Sequence, residues 1–91
     1  MAVLFPLGRL VATSGALALF RSAGEDLLPL LLERHQSGDW GEAPAEDARE
    51  NEFSVRHGFR IISSYLVGGE RLWVITESDR SATTLLLPSE D

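Results

Sequence analysis

Apolar positions along this chain follow two periods, and the change from one to the other comes at Gly58. Before it, hydrophobic residues recur at helical spacing, and after it they crowd into β-branched and aromatic runs of strand length. Residues 14–22 place Ala16, Leu17, Leu19 and Phe20 near one face, with Thr13 or Ser14 as N-cap and Gly24 as stop. A second helix opens on Glu25 and Asp26, tolerates Pro29 in its first turn and ends before Gly38. Leu27, Leu28, Leu31, Leu32 and His35 form its apolar stripe. A third helix is expected from Pro44 to His57, with a weak stripe of Ala45, Ala48, Val55 and Phe53. The loop between them, Gly38-Asp39-Trp40-Gly41, is expected to turn Trp40 inward.

Beyond Gly58, Phe59 to Val67 and Arg71 to Thr76 read as a hairpin around Gly68-Gly69. Ala82 to Leu87 gives a further strand, ended by Pro88, and Gly8 to Ala12 reads as a strand at the start, clear of Pro6. The expected order is βαααβββ: a single α+β domain over residues 1–91, with about three short helices on a three- to four-stranded, mainly antiparallel sheet. Trp73, with Arg71 and Ile75, should occupy the sheet face opposite Leu72 and Val74. The stretch Thr83 to Leu87 is the expected outer edge, where a second copy could pair.

Charge narrows the function. Eight basic residues stand against 14 acidic ones, a net −6. All eight are arginines spread along the chain, so no basic patch for nucleic acid or an anionic membrane is expected. There is no cysteine, which removes disulfides and thiolate metal sites. The apolar N-terminal stretch is split by Arg9 and lacks a basic leader, so a cytoplasmic, soluble protein is expected rather than a secreted or membrane-spanning one.

No constellation carries recognisable chemistry. None of the serines lies in a G-x-S-x-G turn, and no phosphate-binding glycine loop is present. His35, Asp39 and His57 could offer metal ligands, but both histidines read as helix-end residues. Carboxylate pairs can be drawn from Asp39, Glu46 and Asp47, as 14 acids would give by chance. No catalytic, cofactor or metal residue is therefore assigned. The denser feature is acidic: Asp39, Glu42, Glu46, Asp47, Glu50 and Glu52, with only Arg49 among them. The expectation is a noncatalytic protein-interaction module that docks a basic partner through Asp39, Glu42, Glu46, Asp47 and Glu50, with Trp40 as anchor if exposed. The alternative is a small enzyme or ligand-binding domain built on the polar loops 37–41 and 77–81. A third expectation is a homo-oligomer.

The segments LFPLGRLVATSGAL, RHQSGDWGE, RIISSY and LWVITESDRSATTLLLP together resemble a family of small bacterial proteins from plasmids and other mobile elements. Its members are often labelled plasmid-related or type I restriction-modification subunit-like. The chain departs from the family at Ser14, where proline tends to follow Ala-Thr. The resemblance implies a bacterial, cytoplasmic setting and an accessory or counter-defence role. It carries no catalytic residues over, and 91 residues cannot hold a methyltransferase domain.

Overall fold

A computed structural model describes residues 2–91. The elements run β1 (Arg9–Ala12), α1 (Ser14–Ala23), α2 (Leu27–Gln36), α3 (Ala45–His57), β2 (Ile61–Val67), β3 (Glu70–Thr76) and β4 (Ala82–Leu86), with a short 3₁₀ turn at Pro88–Glu90. The order is the expected βαααβββ of an α+β fold. The sheet is four-stranded in the order β1-β4-β3-β2, antiparallel except where β1 pairs parallel to β4.

The structure departs from expectation at two strands. The Thr83 to Leu87 strand is not an edge: β4 is bonded on both sides, to β1 and to β3. The edges are β1 and β2. The strand after Gly58 also begins later than its apolar run suggests, leaving Phe59 and Arg60 outside the ladder.

Alternation along the strands divides the sheet into two faces. Ile61, Ser63, Tyr65, Leu72, Val74, Thr83 and Leu85 point toward the helices and are almost entirely buried. Against them pack Ala16, Leu19 and Phe20 of α1 and Leu31 of α2, which together with Val67 complete the main core. Trp73 lies on the other face and is half-buried, as its alternation with Leu72 and Val74 requires. The hairpin turn has both glycines at positive φ, 56° at Gly68 and 82° at Gly69, the backbone of a type I′ turn that matches strand twist.

A second, smaller core joins Phe5, Trp40 and Ile61, with Ala48 and Val55 of α3 leaning on it. Trp40 is thus the inward plug, only 6 % exposed. α3 meets the sheet chiefly at β2. It seals the β2 edge: Asn51 Nδ2 donates to the Ile62 carbonyl at 2.7 Å, and the Ile62 amide donates to Asn51 Oδ1 at 3.1 Å. Two residues on, the Ser64 amide donates to the Trp40 carbonyl and the Ser64 carbonyl accepts from the Glu42 amide. The side chain of Asn51 and the bridge at Gly41 therefore stand in for a missing fifth strand. Among the described residues no helix is long and apolar enough to cross a membrane.

Candidate functional site

The acidic segment does not gather on one surface. Asp39 is ion-paired to Arg34, with Nε donating to Oδ2 at 2.6 Å and Nη2 to Oδ1 at 3.2 Å. That pairing holds the Asp39 carboxyl below its ordinary range and raises the Arg34 guanidinium. Glu52 accepts from the Trp40 indole at 2.9 Å. Trp40 is buried against Phe5 and His35, so the exposure that would make it an anchor is not met. Glu42 precedes α3 and, with Asp47, borders a groove beside Arg71 and Trp73. Glu46 and Glu50 point elsewhere, into a larger groove. A helix turns about 100° per residue, so acids at successive positions must diverge.

That larger groove, about 750 Å³, runs between α3 and the start of β2. Its walls are Glu46, Arg49, Glu50, Phe53 and Ser54 from the helix and Phe59, Arg60 and Ile62 from the strand side. Phe53 and Phe59 are 55 % and 54 % exposed and lie nearly parallel with centroids 5.8 Å apart. His57 also stacks on Phe53, with centroids 4.1 Å apart. Phe53 was expected in the apolar stripe of α3. It faces outward because the inner face is set by Ala48, Asn51, Ser54 and Val55, which contact the small core and the β2 edge. Helical spacing from Asn51 would have found this, since Phe53 lies two residues, or about 200°, away. Asn51 gave no apolar signal to count from.

Ser54 shows the local logic of the groove floor. Its carbonyl accepts from Arg80 Nη2 at 2.9 Å, and Arg80 Nη1 donates to the Phe59 carbonyl at 2.7 Å. Arg80 thereby ties the end of α3, which carries Phe53, to the turn before β2, which carries Phe59.

Of the residues considered for metal or catalysis, His35 and Asp39 are committed to internal bonds. His35 is fully buried, its Nδ1 2.6 Å from Ser63 Oγ and its Nε2 2.9 Å from Thr76 Oγ1. His57 belongs to the aromatic stack. Among the described residues no group of histidine and carboxylate side chains is placed to hold a metal ion. The loops 37–41 and 77–81 are bonded internally, through Asp39 to Arg34, Asp79 to the Ser81 amide and Arg80 to Glu77 and Ser78 carbonyls. Neither loop lines either of the two grooves beside α3.

His35 completes a chain whose proton order can be worked out. The Leu7 carbonyl only accepts, so Thr83 Oγ1 donates to it at 2.7 Å. Thr83 has then used its proton, and Thr76 Oγ1 donates to Thr83 at 2.7 Å. Thr76 in turn accepts from His35 Nε2, so in the neutral ring Nδ1 is bare and accepts from Ser63. The imidazole is neutral with its proton on Nε2. Burial, and then the positive charge of Arg80, push its pKa down to about 4. The same burial pushes the Tyr65 hydroxyl, which donates to the Asp39 carbonyl, up to about 12.

Comparison of the chain with protein-family models, with curated proteins and with solved structures returned no match.

Proposed function

We propose that this protein is a noncatalytic interaction module that holds a segment of a partner protein in the groove between α3 and β2. The partner would seat an apolar side chain on the Phe53–Phe59 pair and a lysine or arginine against Glu46 and Glu50. The supporting observation is the aromatic pair itself. Two phenylalanines over half exposed, stacked on each other on a mainly polar helix and turn, leave apolar surface in water that a binding partner would cover. Stacking fixes both rings before the partner arrives, which lowers the ordering cost of binding. Glu46 and Glu50 on the same wall favour a basic neighbour, although Arg49 and Arg60 narrow the acceptable charge pattern. A basic surface on a nucleic-acid-handling protein fits that chemistry, and an accessory or counter-defence role on a mobile element is the setting the family resemblance implies.

The test is a displayed library of random peptides selected on the immobilised protein. Selected peptides should pair an aromatic or aliphatic residue with a nearby lysine or arginine. They should lose at least tenfold in affinity against Phe53→Ser/Phe59→Ser and against Glu46→Lys/Glu50→Lys. Binding that survives both double variants would remove the groove as the docking site. Binding that is lost instead with Glu42→Lys/Asp47→Lys would move it to the groove beside Trp73.

A further inference from the structure

The two edges of the sheet are treated differently. At β2, Asn51 and the Gly41 bridge occupy the outward backbone groups of Ile62 and Ser64. At β1, the Arg9 and Thr13 amides donate inward to the Ser81 and Leu85 carbonyls, so in this parallel ladder the groups of Leu10 and Ala12 point away from β4. Among the described residues no donor or acceptor meets them. Leu10 is 51 % exposed, and Val11 is exposed on the opposite face.

We propose that β1 pairs antiparallel with β1 of a second copy of this chain, about a two-fold axis at Val11, so that one sheet runs through both copies. Three features of the strand fit this register. Centring on Val11 sets Leu10 opposite the partner copy's Ala12, and these are the two residues whose backbone groups point outward. Each N–H and C=O then meets its counterpart. On the helix side, Ala12 borders a pocket of about 230 Å³ whose other walls include Leu17, Phe20 and Leu28. An exposed leucine on one copy thus faces a small residue beside an apolar hollow on the other, and symmetry repeats the fit. On the opposite face, Arg9 comes to lie across from Thr13, whose hydroxyl donates to Glu90. Arg9 makes no ion pair among the described residues, and the pairing brings it a carboxylate. An isologous interface needs such self-complementarity, residue i meeting j while j meets i.

The interface is small, so the dimer should be weak and dependent on concentration. It leaves the Phe53–Phe59 groove free, because that groove lies at the other edge of the sheet. Sedimentation equilibrium over a wide concentration range should show the mass rising from 10.0 kDa toward twice that value. Leu10→Asp should weaken association at least tenfold, and Phe53→Ser/Phe59→Ser should leave it unchanged. Register is read separately by cross-linking, which is clean because the chain has no cysteine. Val11→Cys places two thiols directly across a non-hydrogen-bonded pair, at a Cα separation of about 4.5 Å, and should oxidise to a covalent dimer. Leu66→Cys, exposed on β2, should oxidise at least tenfold more slowly. A wild-type mass that stays monomeric at every concentration would overturn the proposal. So would Val11→Cys oxidising no faster than Leu66→Cys, or association lost with the phenylalanines instead of with Leu10.

Discussion

His35 sits where α2 meets both cores, edge-on to Phe5 at 5.1 Å and bonded through both ring nitrogens. Its neutrality is imposed by burial and by the charge of Arg80, and the order of protons along Thr83 and Thr76 decides which nitrogen keeps the proton. The folded pKa of about 4 lies below the ordinary 6.5. Between those values the unfolded chain takes up a proton that the folded chain refuses, so stability falls as pH drops from 6.5 toward 4 and is undiminished above 6.5. The expected loss from this one residue is about 3 kcal/mol. Asp39, held low by Arg34, adds to the acid loss at the lower end of the range. Urea denaturation at pH 7 and pH 4.5 should show this slope in the wild type. His35→Gln should be less stable at pH 7 by about 2 kcal/mol, because the amide keeps a donor and an acceptor but loses the ring packed edge-on to Phe5 and Trp40. Its decline over the same pH interval should nevertheless be visibly shallower, and an equal decline would show that other groups set the acid response. In the sequence His35 reads as the end of an apolar stripe, which it is. Its partners lie on β2 and β3, with β4 one bond further along, and no local spacing encodes them.

At the level of elements, α3 is the case where helical periodicity is least informative. Its ends are legible, with Pro44 before it, Glu46 and Asp47 in the first turn and Gly58 after it at a positive φ of 75°. Its apolar stripe is weak because the helix docks by hydrogen bonds. Asn51 carries both a donor and an acceptor to Ile62, a pairing that an aliphatic side chain cannot make. Asn51→Ala should therefore cost about 2 kcal/mol, the combined effect of two unmet part-buried backbone groups and a lost contact. Hydrogen exchange should report the Ile62 amide opening faster, with the Ile75 amide in the neighbouring strand less affected. Uniform acceleration across the sheet would instead mean that α3 and the sheet unfold as one unit. The pairing of β1 with β4 was equally hidden. The hairpins β2–β3 and β3–β4 follow from short turns, whereas a parallel pair joined through three helices is specified only once the core has formed.

For the molecule as a whole, Arg80 ties together parts that are distant in sequence. Read from the chain, it is one of eight scattered arginines, in a turn between two strands. In the fold its guanidinium donates to carbonyls of Ser54, Phe59, Glu77 and Ser78 and lies 5.5 Å from the Phe5 ring. It joins the N-terminal segment, the end of α3 and the β3–β4 turn. Its backbone stands at φ 61°, the left-handed region, which costs a non-glycine residue about 1 kcal/mol. This conformation gives two opposed expectations for Arg80→Gly. If the residue served only the turn, glycine would relieve the strain and stabilise the protein by about 1 kcal/mol. If its hydrogen bonds join the parts, their loss outweighs that relief, and the variant should be less stable by about 2 kcal/mol. The second outcome is expected, because charged donors to partly buried carbonyls are among the stronger bonds in a protein. The same substitution bears on the buried imidazole. Arg80 is one of the two causes that lower the His35 pKa, so removing its charge should raise that pKa. Arg80→Gly should then be destabilised at pH 7 while losing less further stability than the wild type between pH 6.5 and 4. A variant that loses the stability but keeps the full acid slope would separate the mechanical role of Arg80 from its electrostatic one.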